Sequence, residues 1–144
     1  MAYSTYINVQ SEFRDITFEI TGGAIIQSEV TNIIAEEDAV IDAKLSTKYI
    51  TPITATASLP ILRKISVYMT AGRIWQILNQ VTDGTKDRGA DLINRGNSMI
   101  SKILSIGTDE LKLPNAVLAS STNIVASNYD NGIEPVFKKD EQQW

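Results

Sequence analysis

Cysteine and histidine are both missing from the 144 residues, and these absences exclude much of the chemistry open to a small protein. There is no disulfide, no thiolate nucleophile and no zinc site of the usual Cys/His kind. Ser–His–Asp and Cys–His catalytic arrangements go with them. Acid–base chemistry would fall to carboxylates, lysines or tyrosines. An absent cysteine fits a cytosolic setting and a hardened particle equally well. Basic residues are outnumbered by acids, 13 to 17, for a net charge of −4. That argues against sequence-independent nucleic-acid binding, which relies on a dense basic surface. No apolar run approaches the roughly 20 residues a membrane span needs. The opening MAYSTYINVQ lacks the charged and apolar regions of a signal peptide.

What is present suits one soluble domain with a real core, since 43% hydrophobic and 21% charged residues are ordinary proportions for a globular chain. Its most distinctive stretch is Leu59 to Val81. Ser58 stands where an N-cap belongs and Pro60 where a first helical turn accepts proline. At 3.6 residues per turn, Ile61, Ile65, Tyr68, Gly72 and Trp75 share one face, with Leu62 and Met69 beside them. Val67, Ala71, Ile74 and Leu78 form a second apolar strip, leaving Arg63, Ser66, Thr70, Arg73 and Gln80 on a narrow polar one. A surface helix needs only one such stripe. This helix is expected either at the centre of a small bundle or with one face on the core and one on another subunit.

Before it, residues 1–27 read as a mixed lead-in: Asn8 as cap of a brief helix over 9–16, competing with a strand-like ITFEI at 16–20, then a break at Gly22-Gly23. Ser28 is the expected cap of a long helix over about 29–48, with Val30, Ile33, Ile34, Ile41 and Leu45 at helical spacing. Tyr49-Ile50-Thr51-Pro52 ends it, because the residue before proline is pushed out of the helical region. After a turn at 82–85, a further helix over about 86–105 carries Gly89, Ile93, Gly96, Ile100 and Ile103 as its inner stripe. Two glycines there weaken the helix but permit close approach, with Gly72 as the counterpart. From Gly107 the helical period stops. Residues 107–144 read as disordered or as an arm that orders on a partner, with an Asn131-Gly132 hairpin signal and Tyr129, Phe137 and Trp144 as anchors. The expected fold is mainly α: three long helices in a bundle over 28–106, a short N-terminal helix, and this C-terminal arm.

Candidate chemical groups are few. Asp38 and Asp42, an i, i+4 pair within an acidic run, lack the converging oxygens a hard cation needs, so a solvated acidic face is expected. Asp42 is a candidate contact for a basic residue such as Arg63 or Arg73 across a helix or subunit border. Gly84 to Gly89 has phosphate-loop glycine spacing without the Lys-Ser/Thr and without a preceding strand. Tyr49, Tyr68 and Trp75 lie on apolar faces, which favours packing over base stacking. Arg88, Arg95 and Lys102, seven apart, border the last helix near Asp87 and Asp91, a pattern of salt-bridged surface or subunit contact. No active site, metal site or cofactor site is expected. A carboxylate enzyme around Asp38 and Asp42 and a small DNA-binding regulator using the last helix are the readings left in other classes.

The run Ala39-Val40-Ile41-Asp42-Ala43-Lys44-Leu45-Ser46-Thr47-Lys48-Tyr49-Ile50-Thr51-Pro52, followed by Leu59-Pro60, Leu62, Lys64-Ile65 and Ala71, resembles the head–tail connector (adaptor, or head-completion) proteins of tailed bacteriophages. In that family a long helix ends in Ile-Asp-x-x-Leu-x-x-Arg/Lys-Tyr-x-x-Pro, and a short loop leads to a helix opening with proline. The likeness covers about 28–104; Gly22-Gly23 breaks the chain where relatives continue acidic and helical. It implies a non-catalytic virion neck protein, made in the host cytoplasm. It further implies a ring, often of twelve copies, beneath the portal protein. Such a ring extends the DNA channel without specific DNA binding and docks a stopper or tail-completion protein. Another neck or tail-completion protein is the near alternative. Asp42, Arg73, Trp75, Arg88, Arg95, Lys102, Tyr129, Phe137 and Trp144 are the residues expected at contacts with partners or other copies.

Overall fold

The structure, a computed structural model, describes residues 1–78, 88–105 and 110–119. It is mainly helical, with α1 (Tyr6–Gln10), α2 (Gln27–Leu45), α3 (Leu59–Leu78) and α4 (Arg88–Leu104), and no strand among the described residues.

The first helix lies one turn earlier than the periodicity predicts. Thr5 is its cap: the Asn8 N–H donates to the Thr5 hydroxyl at 3.4 Å, and the Thr5 N–H donates to the Asn8 side-chain carbonyl at 3.0 Å. This reciprocal box puts Asn8 inside the helix rather than at its cap. No strand forms over 16–20, because the Gln10 side chain satisfies that backbone instead. Its amide nitrogen donates to the Ile16 carbonyl at 2.5 Å, and its oxygen accepts the Phe18 N–H at 2.8 Å. At the start of α2, Ile26 rather than Ser28 occupies the cap position, and Glu29 reaches back to accept the Ile26 N–H at 2.9 Å. A carboxylate in the first turn also suits the helix dipole. The helix ends at Leu45, three residues short of the expected end, with both Lys48 and Tyr49 donating to the Leu45 carbonyl.

Helix α3 lies between two cores, which accounts for its excess of apolar residues. Leu62, Ile65 and Met69 join Tyr3, Ile41, Leu45, Tyr49, Ile53, Ile100, Ile103 and Leu113. Val67, Ala71 and Ile74 join Val9, Phe13, Phe18, Ile25, Val30, Ile34 and Leu92. Both strips are therefore covered by this chain, and α3 itself does not call for a second subunit. The lead-in, read as a loose preface, supplies the aromatic part of the second core. Ser66 and Thr70, placed on the polar strip by periodicity, are fully buried; Ser66 shares a hydrogen bond with Ser4 at 2.7 Å.

Glycine brings α3 and α4 together. A Cβ on Gly72 would lie 2.6 Å from Ile93 Cγ1 and 2.7 Å from the Gly89 carbonyl oxygen, so the backbones touch there. Gly96 faces Met69 on α3 in the same way, with a built Cβ 2.8 Å from Met69 Cγ.

Beyond α4, residues 110–119 return to the body. Leu113 is buried, the Ser58 hydroxyl donates to the Pro114 carbonyl at 2.5 Å, and Ile50 and Ala119 N–H groups pair with Val117 and Lys48 carbonyls. Ser58 thus uses its hydroxyl to tie down residue 114, while its carbonyl accepts from Ile61 and Leu62 at the start of α3. Lys48, expected on the wet side, closes the end of α4. Its ammonium donates to the Ile103 and Ser105 carbonyls at 2.9 and 3.2 Å and pairs with Glu110 at 2.7 Å. These are carbonyls a helix C-terminus leaves without intrahelical donors, so a cation there is favourable. The hydrogen bond to Lys48 holds Glu110 below the usual carboxylate value of 4.5. Lys48→Met should melt a few degrees lower at pH 7 in a calorimetric scan. Because a lowered carboxylate supports folding above its unfolded value and loses that support in acid, the deficit should narrow below about pH 4.5.

Candidate functional site

The acidic run of α2 is not a solvated face throughout. Glu36 is exposed, Glu37 half-buried, and Asp38 buried at 3% exposure. Asp38 turns inward because it shares the buried side of α2 with Ile34, Ile41 and Leu45. Its Oδ2 accepts the Tyr3 backbone N–H at 2.7 Å. Its Oδ1 has no hydrogen-bond partner, the nearby Ser66 hydroxyl being shared with Ser4. Asp42, one turn on, accepts a short hydrogen bond from the Tyr3 hydroxyl, not a contact from Arg63 or Arg73. That hydroxyl in turn accepts the Ile53 N–H at 2.9 Å. Two carboxylates and a phenol thus pin residue 3 against α2 and the loop before α3. This is a structural latch, and no group of three or more potential metal ligands exists among the described residues.

Burial pushes the Asp38 carboxyl above its ordinary 3.8, against the Ser66 and Tyr3 groups that favour its charge. A carboxyl raised on folding binds its proton more readily in the folded chain, so its contribution to stability declines as pH rises through the folded value. Asp38→Asn keeps an acceptor for the Tyr3 N–H and removes the buried charge. We expect it to unfold within about 1 kcal/mol of the parent at pH 7 and to lack that decline above pH 3.8 in urea titrations.

The expected contact residues separate into groups. Arg73 is exposed on α3, and its charge partly offsets the upward push of burial on Glu37. Trp75 is half-buried and stacked on Phe13 with ring centres 5.2 Å apart. The Arg88 guanidinium lies 5.0 Å from the Trp75 ring. Arg95 is exposed and pairs with Asp91 at 2.9 Å; Lys102 is exposed on the same border. Tyr49 is buried, as packing requires, and Lys64 lies over the half-buried Tyr68 ring at 5.7 Å. Tyr129, Phe137 and Trp144, with the Asn131-Gly132 turn, lie outside the described residues, as do Asp87 and Gln80.

Periodicity does not find the exposed apolar corner made by two segments far apart in sequence. Ile50, Val117 and Leu118 are 56%, 63% and 58% exposed, joined by the antiparallel bridge between Tyr49 and Leu118. Pro52, after a cis peptide bond, lines the adjoining cavity. None of the described helices is long and apolar enough to cross a membrane. No protein-family model, no curated protein and no solved structure matches this chain.

Proposed function

We propose that the protein is a non-catalytic neck component of a tailed-phage virion, a head–tail connector adaptor that sits as a ring below the portal and receives a stopper or tail-completion protein. The observation that carries this reading is the corner where the resemblance motif ends. The motif residues Asp42, Leu45, Tyr49 and Pro52 hold a corner whose outer surface is Ile50, Val117 and Leu118. Residues 120–144 follow in the sequence. Exposed apolar side chains from two segments far apart in sequence, brought together at this bridge, suit a docking surface. Residues 110–119 belong to the body by their contacts, so the arm of this reading is 120–144, and α2, α3 and α4 form the bundle that carries it. The net charge of −4 suits a channel wall that DNA must slide past.

Mixing the full chain with the portal ring of the same virus tests the reading. Electron microscopy should show an added ring on the tail side of the portal, and Ile50→Asp should weaken the interaction about tenfold, the loss typical of an interface anchor. A chain that leaves the portal unchanged at every concentration would sink the proposal.

A further inference from the structure

Charge on this chain is divided by helix. Helix α3 carries Arg63, Lys64 and Arg73 and no acid, and α4 adds Arg88, Arg95 and Lys102 against Asp91 alone. Helix α2 carries five acids against Lys44. With Asp38 and Asp42 turned to the latch, Glu29 and Glu36 remain exposed on its outer side.

Two of these cations, Lys64 and Arg95, line an open groove between α3 and α4, about 400 Å³, together with Tyr68, Asn94, Ser98 and Met99. It faces away from α2. Asn97, which accepts a hydrogen bond from Lys44 of α2 at 2.7 Å, marks the side of α4 that meets α2. Arg95, two positions earlier, is about 200° around the helix from it. The outer side of α2 is turned outward by the same geometry, since Glu36 and Val40 each stand two positions from buried Asp38. Acidic face and basic groove therefore lie on opposite sides of one molecule. They cannot meet within a chain, and like faces repel.

Resting on the ring reading above, we propose that the outer face of α2 of one copy docks along the α3/α4 groove of the next. The two helices match in length, 19 residues against 17. Val40, 41% exposed, offers an apolar contact for the Tyr68 and Met99 side chains that line the groove. The contact is heterologous, one patch on a different patch, so repetition gives a closed ring or an open filament but never a two-fold dimer.

Two full-length variants test this: Glu36→Lys with Val40→Lys, and Lys64→Glu with Arg95→Glu. Self-association is read by sedimentation in low salt, and copies per portal by native mass spectrometry. Each variant alone should associate about tenfold more weakly, as expected when complementary charge becomes like charge. An equimolar mixture should regain wild-type association, because both kinds of contact are again complementary, and so should the chain carrying all four changes. If both variants still load onto the portal like the wild type, this interface is wrong and the adaptor reading stands. A charge-dependent association that ignores the portal would keep the interface and remove the adaptor reading. Loss of duplex-DNA binding in the groove variant, with association unchanged, assigns the groove to nucleic acid and overturns the proposal.

Discussion

Gly72→Ala should cost about 2–3 kcal/mol of stability in urea unfolding, although alanine is the better helix former by about 1 kcal/mol. The reason is where the added methyl goes. It would lie 2.6 Å from Ile93 Cγ1 and 2.7 Å from the Gly89 carbonyl oxygen. Ile93 has some freedom to turn, but the carbonyl belongs to α4 and moves only if the helix moves. Helix α4 is held at its far end by Lys48, by Leu111 N–H bonding the Lys102 carbonyl, and by Ile100 and Ile103 in the core. The separation of α3 and α4 then has to open against both cores. Gly96→Ala is the internal control. Its methyl meets Met69 Cγ at 2.8 Å, an unbranched side chain that repacks cheaply, and the next contact is ordinary at 3.6 Å. That variant should stay within about 1 kcal/mol of the parent, because the propensity gain offsets the repacking. Equal stability of the two variants would show that the helices are not in backbone contact at Gly72.

The close approach of α3 and α4 was legible in the sequence because it is local: glycines on an apolar stripe announce it whatever the partner. The two apolar strips of α3 were legible for the same reason. What covers them was not. Periodicity counts the apolar faces of a helix but does not say which distant segment meets them, and Val9, Phe13, Phe18 and Ile25 sit in a stretch with no sustained period. Helix starts lie two or three positions earlier than periodicity puts them, because side chains other than the expected cap do the work, as Asn8 and Glu29 do. The acidic run misled most. Glu36-Glu37-Asp38 looks like one wet surface in sequence, and only the position of Asp38 on the side of Ile34 and Ile41 turns it inward. Its partner, Tyr3, is 35 residues away.

The enclosure of α3 changes what a case for assembly must rest on. An over-apolar helix no longer requires a neighbour, since both of its strips are occupied within the chain. Exposed features remain: the Ile50, Val117 and Leu118 corner, and charge divided between α2 and the α3/α4 groove. The corner is apolar, which suits a larger partner. The divided charge suits copies of the chain itself. On the adaptor reading proposed above, separate variants at the two surfaces should separate portal attachment from ring closure.

Tyr3→Phe is expected to cost about 3 kcal/mol, a large effect for the loss of one oxygen. The phenol is held at both ends of its hydrogen-bonding capacity, donating to Asp42 and accepting from the Ile53 N–H at 2.9 Å. Phenylalanine fills the ring's place, so little packing is lost. What remains is a buried N–H without an acceptor and a carboxylate oxygen without its donor, each costing about 1–3 kcal/mol. Water does not readily rescue the N–H, because Ile53 is only 2% exposed, whereas the half-buried Asp42 keeps some access to solvent. Burial, and then the Asp42 bond, push the phenol above its ordinary value of 10.0. A group raised on folding supports the folded state below its unfolded value and loses that support as pH climbs. Above about pH 10 the unfolded chain ionises Tyr3 first, the wild type loses stability, and its advantage over Tyr3→Phe should shrink. Unfolding free energies for both proteins from pH 7 to 11 check the claim. A constant gap across that range, or none at pH 7, would mean that the phenol is not the clasp between residue 3, α2 and the loop before α3.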